Sequence, residues 1–217
     1  RILIDHPNSP VAVIFDAKGK TFRHEMYKEY KANRPPMPTD LVEQIEPIHK
    51  IIELMGIKLI AITGVEADDV IGTLADQARQ KKLDTVISTG DKDMTQLVCK
   101  NVKVVNTMTG ELLDGKGVQE KFGVPPELII DYLALIGDTS DNIPGVEKVG
   151  PKTAVKWLTE YKNLDGVVKN SKNISGKVGE NLRSSLNQLS LSKELVTIKR
   201  DVDLNVTIED LKVQPTD

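Results

Sequence analysis

Residues 57–105 read IKLIAITGVEADDVIGTLADQARQKKLDTVISTGDKDMTQLVCKNVKVV, and this stretch decides the fold class. Short apolar runs alternate here with helical patterns, which predicts strands over 57–62, 85–88 and 102–105 and helices over 66–80 and 92–98. Strands that alternate with helices indicate βαβ units and a parallel sheet. We therefore predict an α/β protein with a mostly parallel central sheet and flanking helices.

The flanks extend this pattern upstream. An apolar strand over 11–15 ends at Asp16, and a charged helix follows over 21–30. A second helix ends at Gly56, the residue type that commonly terminates helices. Apolar residues repeat along it at helical spacing, at Leu41, Ile45, Ile48, Ile52 and Met55.

The downstream half of the chain is helical. After a hairpin over 108–113, helical patterns cover residues 116–122, 125–136, 152–161 and 177–189. We divide the chain into an α/β core over 1–123, with a basic stretch around 16–38, and a helical region over 124–203. Both belong to one compact domain, and the polar residues 204–217 read as a tail or linker.

Composition excludes several classes of protein. The 217 residues are 39% hydrophobic and 28% charged, which is a globular profile. No apolar run approaches the roughly 20 residues of a membrane helix, and the start shows no signal-peptide pattern. With Cys99 as the single cysteine, an internal disulfide or a cysteine-based zinc site is excluded. We expect a cytoplasmic protein that does not bind membranes.

Acidic residues fall into three tight clusters. They are Glu66, Asp68 and Asp69 at a helix start, Asp91 and Asp93 after a strand, and Asp138 and Asp141 in a loop. A helix dipole, an Asx turn or an N-cap explains one or two of these acids at each place. Such local roles explain the complete set less well.

The predicted topology brings the first two clusters and Asp16 to the carboxyl edge of the sheet, where α/β proteins bind ligands. So many carboxylates cannot all remain ionised without cations. Oxygen-only ligands suit Mg²⁺, and a carboxylate-only site suits two-metal phosphodiester hydrolysis. Setting the seven clustered acids aside changes the net charge from −3 to +4, which is compatible with DNA as the partner.

A glycine-rich string at residues 143–154, IPGVEKVGPKTA, precedes a predicted helix. It resembles a helix-hairpin-helix motif, whose backbone N–H groups and helix N-terminus hold a phosphate without reading sequence. Lys148 and Lys152 add positive charge. An ordinary glycine turn between two helices is the alternative.

The motifs as a set resemble a known family. The strings GVEADDVIG at 64–72, STGDKDM at 88–94 and GDTSDNIPG at 137–145 are similar to signature blocks of the 5′-nuclease domain of bacterial DNA polymerase I, in the flap endonuclease superfamily. The strings FDAKGKTFR at 15–23 and YKANRPPMP at 30–38 also match, in the same order. The resemblance implies a PIN-like nuclease core. It also implies metal-dependent cleavage of 5′ ends and flaps on branched or nicked DNA, as in primer removal and repair.

The resemblance also implies residue roles. The metal ligands would be Glu66, Asp68, Asp69, Asp91, Asp93, Asp138 and Asp141, with Asp16 a further acid near the first ion. The DNA contacts would be Arg23 as a phosphate contact, Tyr30, Lys31 and Arg34 of a basic arch, and Gly145, Lys148, Gly150, Lys152 and Thr153 of the hairpin. Packing is the alternative for Tyr30. Two Mg²⁺ ions, with Mn²⁺ as a substitute, would be the cofactors, and the hairpin would bind K⁺. The expected partners are flapped or nicked DNA, an RNA primer and a fused or separate polymerase, and the chain is expected to be a monomer.

Two alternatives stay open at this point. The family begins with a strand that ends in a metal-binding Asp, and no counterpart occurs in residues 1–10, so we expect a fragment. A DNA-junction binding module without catalysis is therefore the second hypothesis. The third is an unrelated enzyme that uses Asp91 and Asp93 as a nucleotide-sugar site, but it leaves residues 145–154 unexplained.

Overall fold

The computed structural model describes residues 2–215, which form two compact units. The first unit comprises residues 2–26, 35–83 and 199–215, and the second comprises residues 27–34 and 84–198. The chain therefore leaves and re-enters each unit, whereas our predicted division is contiguous along the sequence. Arg1, at the start of the predicted core, and Thr216 and Asp217, at the end of the predicted tail, lie outside the described residues.

The first unit pairs two short strands in parallel. Its elements are α1 (Ile2–Asp5), β1 (Ala12–Ile14), α2 (Phe22–Met26), α3 (Thr39–Leu54), β2 (Lys58–Ile60) and α4 (Ala67–Gln80). The register runs from Ala12 opposite Lys58 to Ile14 opposite Ile60. The predicted helix over 21–30 is present only as the five residues of α2, and turns follow it. Lys31, with φ +55°, adopts a left-handed conformation that is incompatible with a continuing helix.

Residues 204–215 belong to the first unit, and part of this segment lies in its core, which corrects our prediction of a tail or linker for these residues. Ile208 and Leu211, in a short 3₁₀ helix over Ile208–Leu211, are buried against Ile60, Val70 and Leu74. The segment is also tied by backbone hydrogen bonds, since the Leu211 carbonyl accepts from Val11 at 2.8 Å. The sequence pattern did not predict this core position, because the apolar residues of the segment are widely spaced among polar ones.

Helix α3 exists as predicted, and the described residues leave much of its apolar face exposed. No residue of α3 is fully buried, and Leu41, Ile48 and Met55 are exposed, whereas Ile45 and Ile52 are half-buried. The helical spacing of apolar residues therefore predicted the helix correctly. It did not predict how much of that face the described residues cover.

The second unit combines a three-stranded sheet with helices. Its elements are β3 (Thr85–Ser88), β4 (Val102–Asn106), β5 (Glu111–Leu113), α5 (Gly115–Phe122), α6 (Ile129–Ile136), α7 (Pro151–Tyr161), α8 (Leu164–Lys169) and α9 (Gly176–Val196). Strands β3 and β4 are parallel, and β4 and β5 form an antiparallel hairpin that begins further upstream than the predicted one over 108–113. The predicted helix over 92–98 is a 3₁₀ helix over Asp93–Leu97.

Helix α6 is the centre of the second unit. Its sequence, IIDYLALI, is apolar on nearly every face, and six of its eight residues are buried. Its one acid, Asp131, accepts from the Leu164 backbone N–H at 2.9 Å and from Lys193 Nζ at 2.8 Å. The α/β class and the parallel pairing are confirmed, although the strands form two short sheets. Among residues 2–215, no helix has both the length and the apolarity that a membrane span requires.

Candidate active site

Four predicted site acids surround the N-terminus of α4. Glu66 is the N-cap residue, and its backbone N–H donates to Asp69 Oδ2 at 3.0 Å. Asp16, exposed in the loop after β1, accepts from the Ala67 N–H at 2.7 Å. Asp68 is half-buried in the first turn. The helix dipole favours negative charge here, so this end of α4 concentrates carboxylates at modest cost.

Arg23 neutralises the two buried members of this group. Its Nη1 and Nη2 donate to the two oxygens of Asp69 at 2.7 and 2.8 Å, and Nη1 lies 3.1 Å from Glu66 Oε2. The Lys199 N–H also donates to Asp69 Oδ1, at 2.8 Å. Asp69 is 0% exposed and Arg23 is 3% exposed. This geometry favours structural roles for both residues over the metal ligand and phosphate contact that the resemblance implied.

The second acidic group begins where β3 ends. Asp91 receives an Asx-turn hydrogen bond, since the Asp93 N–H donates to Asp91 Oδ1 at 2.9 Å. The Asp93 side chain differs from that of Asp91. Its Oδ1 is buried and has no hydrogen-bond partner among the described residues. Burial, followed by repulsion from Asp91, raises the pKa of Asp93 to about 7, and Asp138 and Asp141 add to the repulsion.

The loop that follows α6 supplies the other two acids of this group. Asp138 Oδ1 accepts from the Ser140 N–H at 2.7 Å, and its Oδ2 contacts Lys92 Nζ at 2.5 Å. Burial alone would raise the pKa of Asp138, but the Lys92 ammonium and the backbone donors outweigh it and hold this pKa below its ordinary value. Lys92 is the counter-ion of Asp138.

Residues 27–34 lie against the same loop, so the predicted DNA-contacting side chains contact Asp141. The Lys31 N–H donates to the Asp141 carbonyl at 2.9 Å, and Tyr30 Oη donates to Asp141 Oδ2 at 3.2 Å. Arg34 pairs with Asp141 Oδ1, and Lys31 Nζ lies 3.8 Å from its Oδ2. Tyr30 is 3% exposed, which favours the packing alternative, whereas the Arg34 side chain remains 51% exposed.

The predicted glycine hairpin connects α6 to α7. Gly145 is packed so closely that an added Cβ would lie 2.3 Å from the Ile136 carbonyl carbon. Ser192 Oγ donates to the Pro144 carbonyl at 2.6 Å, and Gln188 Nε2 donates to the Gly145 carbonyl at 3.2 Å. Helix α9 therefore supports the base of the hairpin.

The far end of the hairpin is open. Gly150 is the N-cap of α7, and an added Cβ there would meet nothing within 4 Å. Lys148, with φ +64°, and Lys152 are exposed, and Thr153 is half-buried in the first turn. The open N-terminus of an eleven-residue helix, flanked by two lysines, has the chemistry of an anion contact.

Comparison with known families decides the assignment of this acidic, hairpin-containing chain. A family model described as the 5′-3′ exonuclease N-terminal resolvase-like domain matches residues 1–123, and its companion, the 5′-3′ exonuclease C-terminal SAM fold, matches residues 124–217. The chain belongs to the 5′-3′ exonuclease family. The two family models meet at the boundary between our predicted core and helical region.

Individual relatives agree with this family. The 5′-3′ exonuclease of Buchnera aphidicola subsp. Baizongia pistaciae is 44% identical over 99% of this chain and 73% of its own. DNA polymerase I of Pseudomonas aeruginosa is 53% identical over 95% of this chain, which spans only 23% of that protein. Among solved structures, the T5 D15 protein co-crystallised with metal ions matches with a TM-score of 0.80 at 27% identity, over 90% of this chain and 78% of that one. The fold of this exonuclease-family chain is therefore a nuclease fold.

The donor set of the second acidic group fits a divalent cation. Asp93 offers a buried carboxylate oxygen without a partner, and the carboxylates of Asp91, Asp138 and Asp141 act on it together with the Lys92 ammonium. Carboxylate oxygens are ligands that Mg²⁺ prefers. Within residues 2–215, no three Asp, Glu, His or Cys side chains converge into a ready-formed metal cage. The carboxylates of Asp138 and Asp141 are directed instead toward Lys92 and Arg34.

Sequence reasoning missed three residues that matter to this exonuclease-family site. No role was assigned to Lys92 from the sequence, although a lysine between two aspartates is itself a signal of local charge compensation. Ser192 and Gln188, which support the hairpin, carry no local signal. Their acceptors lie 48 and 43 residues away along the chain.

Proposed function

We propose that this chain is a metal-dependent, structure-specific 5′ nuclease that hydrolyses phosphodiester bonds at 5′ ends and flaps of branched or nicked DNA. One observation carries the proposal: Asp93 holds a buried, unpartnered carboxylate oxygen in a group of aspartates, within a chain of the 5′-3′ exonuclease family. The structural cost of this arrangement is explained if the group serves a cation rather than the fold alone.

The acids differ in whether hydrogen bonds and ion pairs already occupy their carboxylate oxygens. Those proposed to hold divalent ions are Glu66, Asp68, Asp91, Asp93, Asp138 and Asp141, with Asp16 adjacent to α4. Asp69 is excluded from this set because Arg23 saturates its carboxylate, and its contribution is to orient Glu66. We propose two Mg²⁺ ions, replaceable by Mn²⁺. Bound ions of this kind lower the pKa of water and stabilise charge on phosphate oxygens.

Basic residues of the second unit would bind the DNA backbone. Arg34 is half exposed, so a phosphate oxygen can compete with Asp141 for its guanidinium. At the hairpin, Lys148, Lys152 and the N-terminus of α7 would hold a duplex phosphate without sequence preference. Gly145 would support this element, and Gly150 and Thr153 would line it. We also propose a K⁺ ion at the hairpin backbone.

The wider partners follow from the relatives. Pseudomonas aeruginosa DNA polymerase I carries the matching segment within a longer protein, so we propose a fused polymerase as the partner. An RNA primer annealed to DNA is the second proposed substrate, and we propose a monomer that works in the cytoplasm.

A cleavage assay tests the function. The chain is incubated with a labelled 5′-flap duplex in Mg²⁺, beside an EDTA control and the variants Asp93→Asn and Asp203→Asn. We expect cleavage near the junction that EDTA abolishes, a loss of at least about 100-fold in rate for Asp93→Asn, and no change for the exposed Asp203→Asn. Flap binding without cleavage in Mg²⁺ would instead support the junction-binding module, and EDTA-resistant cleavage would contradict the proposed chemistry.

A further inference from the structure

Lys92 is placed to control the acidic group of the second unit. It stands between Asp91 and Asp93 in sequence, and its ammonium pairs with Asp138, 46 residues away, at an Nζ–Oδ2 distance of 2.5 Å. Asp138 is buried, so this cation contacts an oxygen that water reaches poorly. Three proposed metal ligands, Asp91, Asp93 and Asp138, therefore share the positive charge of Lys92.

The backbone of Lys92 is held while its side chain keeps a solvent-facing side. The Lys92 carbonyl accepts from the Thr95 N–H at 3.0 Å and from Thr95 Oγ1 at 2.6 Å, and Thr95 is buried. The Lys92 side chain is 44% exposed. Its four-carbon stem can consequently swing the ammonium away from Asp138 without moving the 3₁₀ helix.

An ammonium and a divalent cation cannot both lie against the same carboxylate oxygen without repulsion. The free-energy cost of separating Lys92 from Asp138 is smaller when the ammonium forms an ion pair with another anion. In the proposed reaction, that anion is a DNA phosphate, since phosphate groups pair readily with lysine. The local chemistry therefore links the two ligands of this site through one side chain.

We infer that Lys92 is a positioning residue that couples divalent-cation binding to phosphate binding: its ammonium holds Asp138 while no phosphate is present and releases the carboxylate when a phosphate draws it away. This inference rests on the proposed function, because it takes Asp138 as a metal ligand and DNA as the source of phosphate.

The test measures Mn²⁺ binding to the full chain by electron paramagnetic resonance, without relying on cleavage. Lys92→Met should bind Mn²⁺ roughly tenfold more tightly than wild type in the absence of DNA, the size expected for removal of one nearby positive charge at a partly exposed site. A short 5′-phosphorylated single strand should tighten Mn²⁺ binding by wild type and by Lys92→Arg, but not by Lys92→Met. Lys116→Met, which removes an exposed lysine paired with Glu120, is the matched control and should resemble wild type.

The outcomes separate the two proposals. Equal Mn²⁺ affinity in wild type and Lys92→Met, or equal tightening of both by the oligonucleotide, would overturn the role of Lys92 while leaving the metal site intact. Wild-type binding no tighter than that of an Asp93→Asn, Asp138→Asn double variant would remove the proposed function and this inference together. Circular dichroism checks the fold of each variant, and Lys92→Gln replaces Lys92→Met if the latter does not fold.

Discussion

Arg23 and Asp69 are buried charged residues, so the loss of either one should strongly affect stability. Arg23 and Asp69 lie almost completely out of solvent, and each satisfies the other through two hydrogen bonds. A buried pair of this kind contributes little net stability while intact, but removing one partner leaves an uncompensated charge. Arg23 and Asp69 are therefore a structural unit at the start of α4.

Replacing Arg23 tests this role. Arg23→Met should lower the free energy of unfolding by about 3–5 kcal/mol in urea denaturation, because Asp69 would remain buried without its counter-ion. Arg34→Met, at a half-exposed pair, should lower it by less than about 1 kcal/mol. An Arg23→Met chain as stable as wild type but deficient in DNA binding would restore the phosphate contact that the resemblance implied.

Asp93 should make the metal-free chain less stable as the pH rises. Its pKa is raised in the folded state from an ordinary 3.8 to about 7, so the folded chain binds this proton more tightly than the unfolded chain does. The resulting stability is present below about pH 4 and is lost as the pH rises through about 7. In EDTA at pH 8, the free energy of unfolding of Asp93→Asn should exceed that of wild type by about 2–4 kcal/mol. This difference should become smaller as the pH falls toward about 4.

The control for this prediction is Asp203→Asn, an exposed acid of the first unit. Its difference from wild type should not depend on pH over the same range. Added Mg²⁺ at pH 8 should stabilise wild type and not Asp93→Asn, since the cation would bind only the ionised carboxylate. A pH-independent difference between wild type and Asp93→Asn would contradict the assignment of a strained carboxylate.

At the scale of elements, the hairpin between α6 and α7 is closely packed at its base and exposed at its far end. Its base is fixed to α6 and α9, since the Val146 N–H donates to the Leu135 carbonyl at 2.8 Å, and Ser192 and Gln188 hold neighbouring carbonyls. Its far end leaves the N-terminus of α7 open. The two glycines of the motif therefore have different physical reasons to be glycine.

Two alanine substitutions distinguish these reasons. Gly145→Ala should destabilise the chain by about 2 kcal/mol or more, because its Cβ would lie 2.3 Å from backbone atoms that must shift. Gly150→Ala should change stability by less than about 0.5 kcal/mol, since its Cβ meets open space, but it should weaken duplex binding by obstructing close approach. Thermal melting and fluorescence anisotropy with a duplex measure the two effects. Equal melting temperatures for the two variants would contradict this division.

At the scale of the whole molecule, the chain does not divide where its sequence changes character. Residues 199–215 belong to the same compact unit as the first β-strand and α4, and residues 27–34 belong with the later helices. The two family models meet between residues 123 and 124, as our predicted regions do. Each compact unit, in contrast, combines segments from separate parts of the sequence. Stability of the first unit should therefore depend on the last segment of the chain.

Leu211→Ala should show this dependence. Leu211 is buried in the cluster with Ile60, Val70 and Leu74, so its truncation should cost about 2–5 kcal/mol of unfolding free energy. Val213→Ala, two residues further and more exposed, should cost less than about 1 kcal/mol. Urea denaturation followed by circular dichroism measures both, and equal small effects would mean that this segment is a linker after all.

Periodic patterns were predicted well, and features set by distant contacts were not. The strand over 85–88 occurs at Thr85–Ser88, and a hairpin occurs around the predicted glycine turn, because apolar runs and turn residues act locally. Its first strand is β4, which lies upstream of the predicted range 108–113. Helix α8 escaped prediction because six residues with a glycine show no clear period. Residues 27–30 form turns rather than the end of the predicted helix, because the segment 27–34 is tied to the Asp138–Asn142 loop, more than 100 residues away.

The sequence by itself determined the α/β class, the family and the acids, lysines and glycines that carry the chemistry, because spacing and residue type are local properties. Only the tertiary structure decided which charges meet. Arg23 reaches Asp69 across 46 residues, Lys92 reaches Asp138 across 46, and Arg34 reaches Asp141 across 107. An ion pair depends on a distance of a few ångströms between side chains, and the folded path of the chain alone sets that distance.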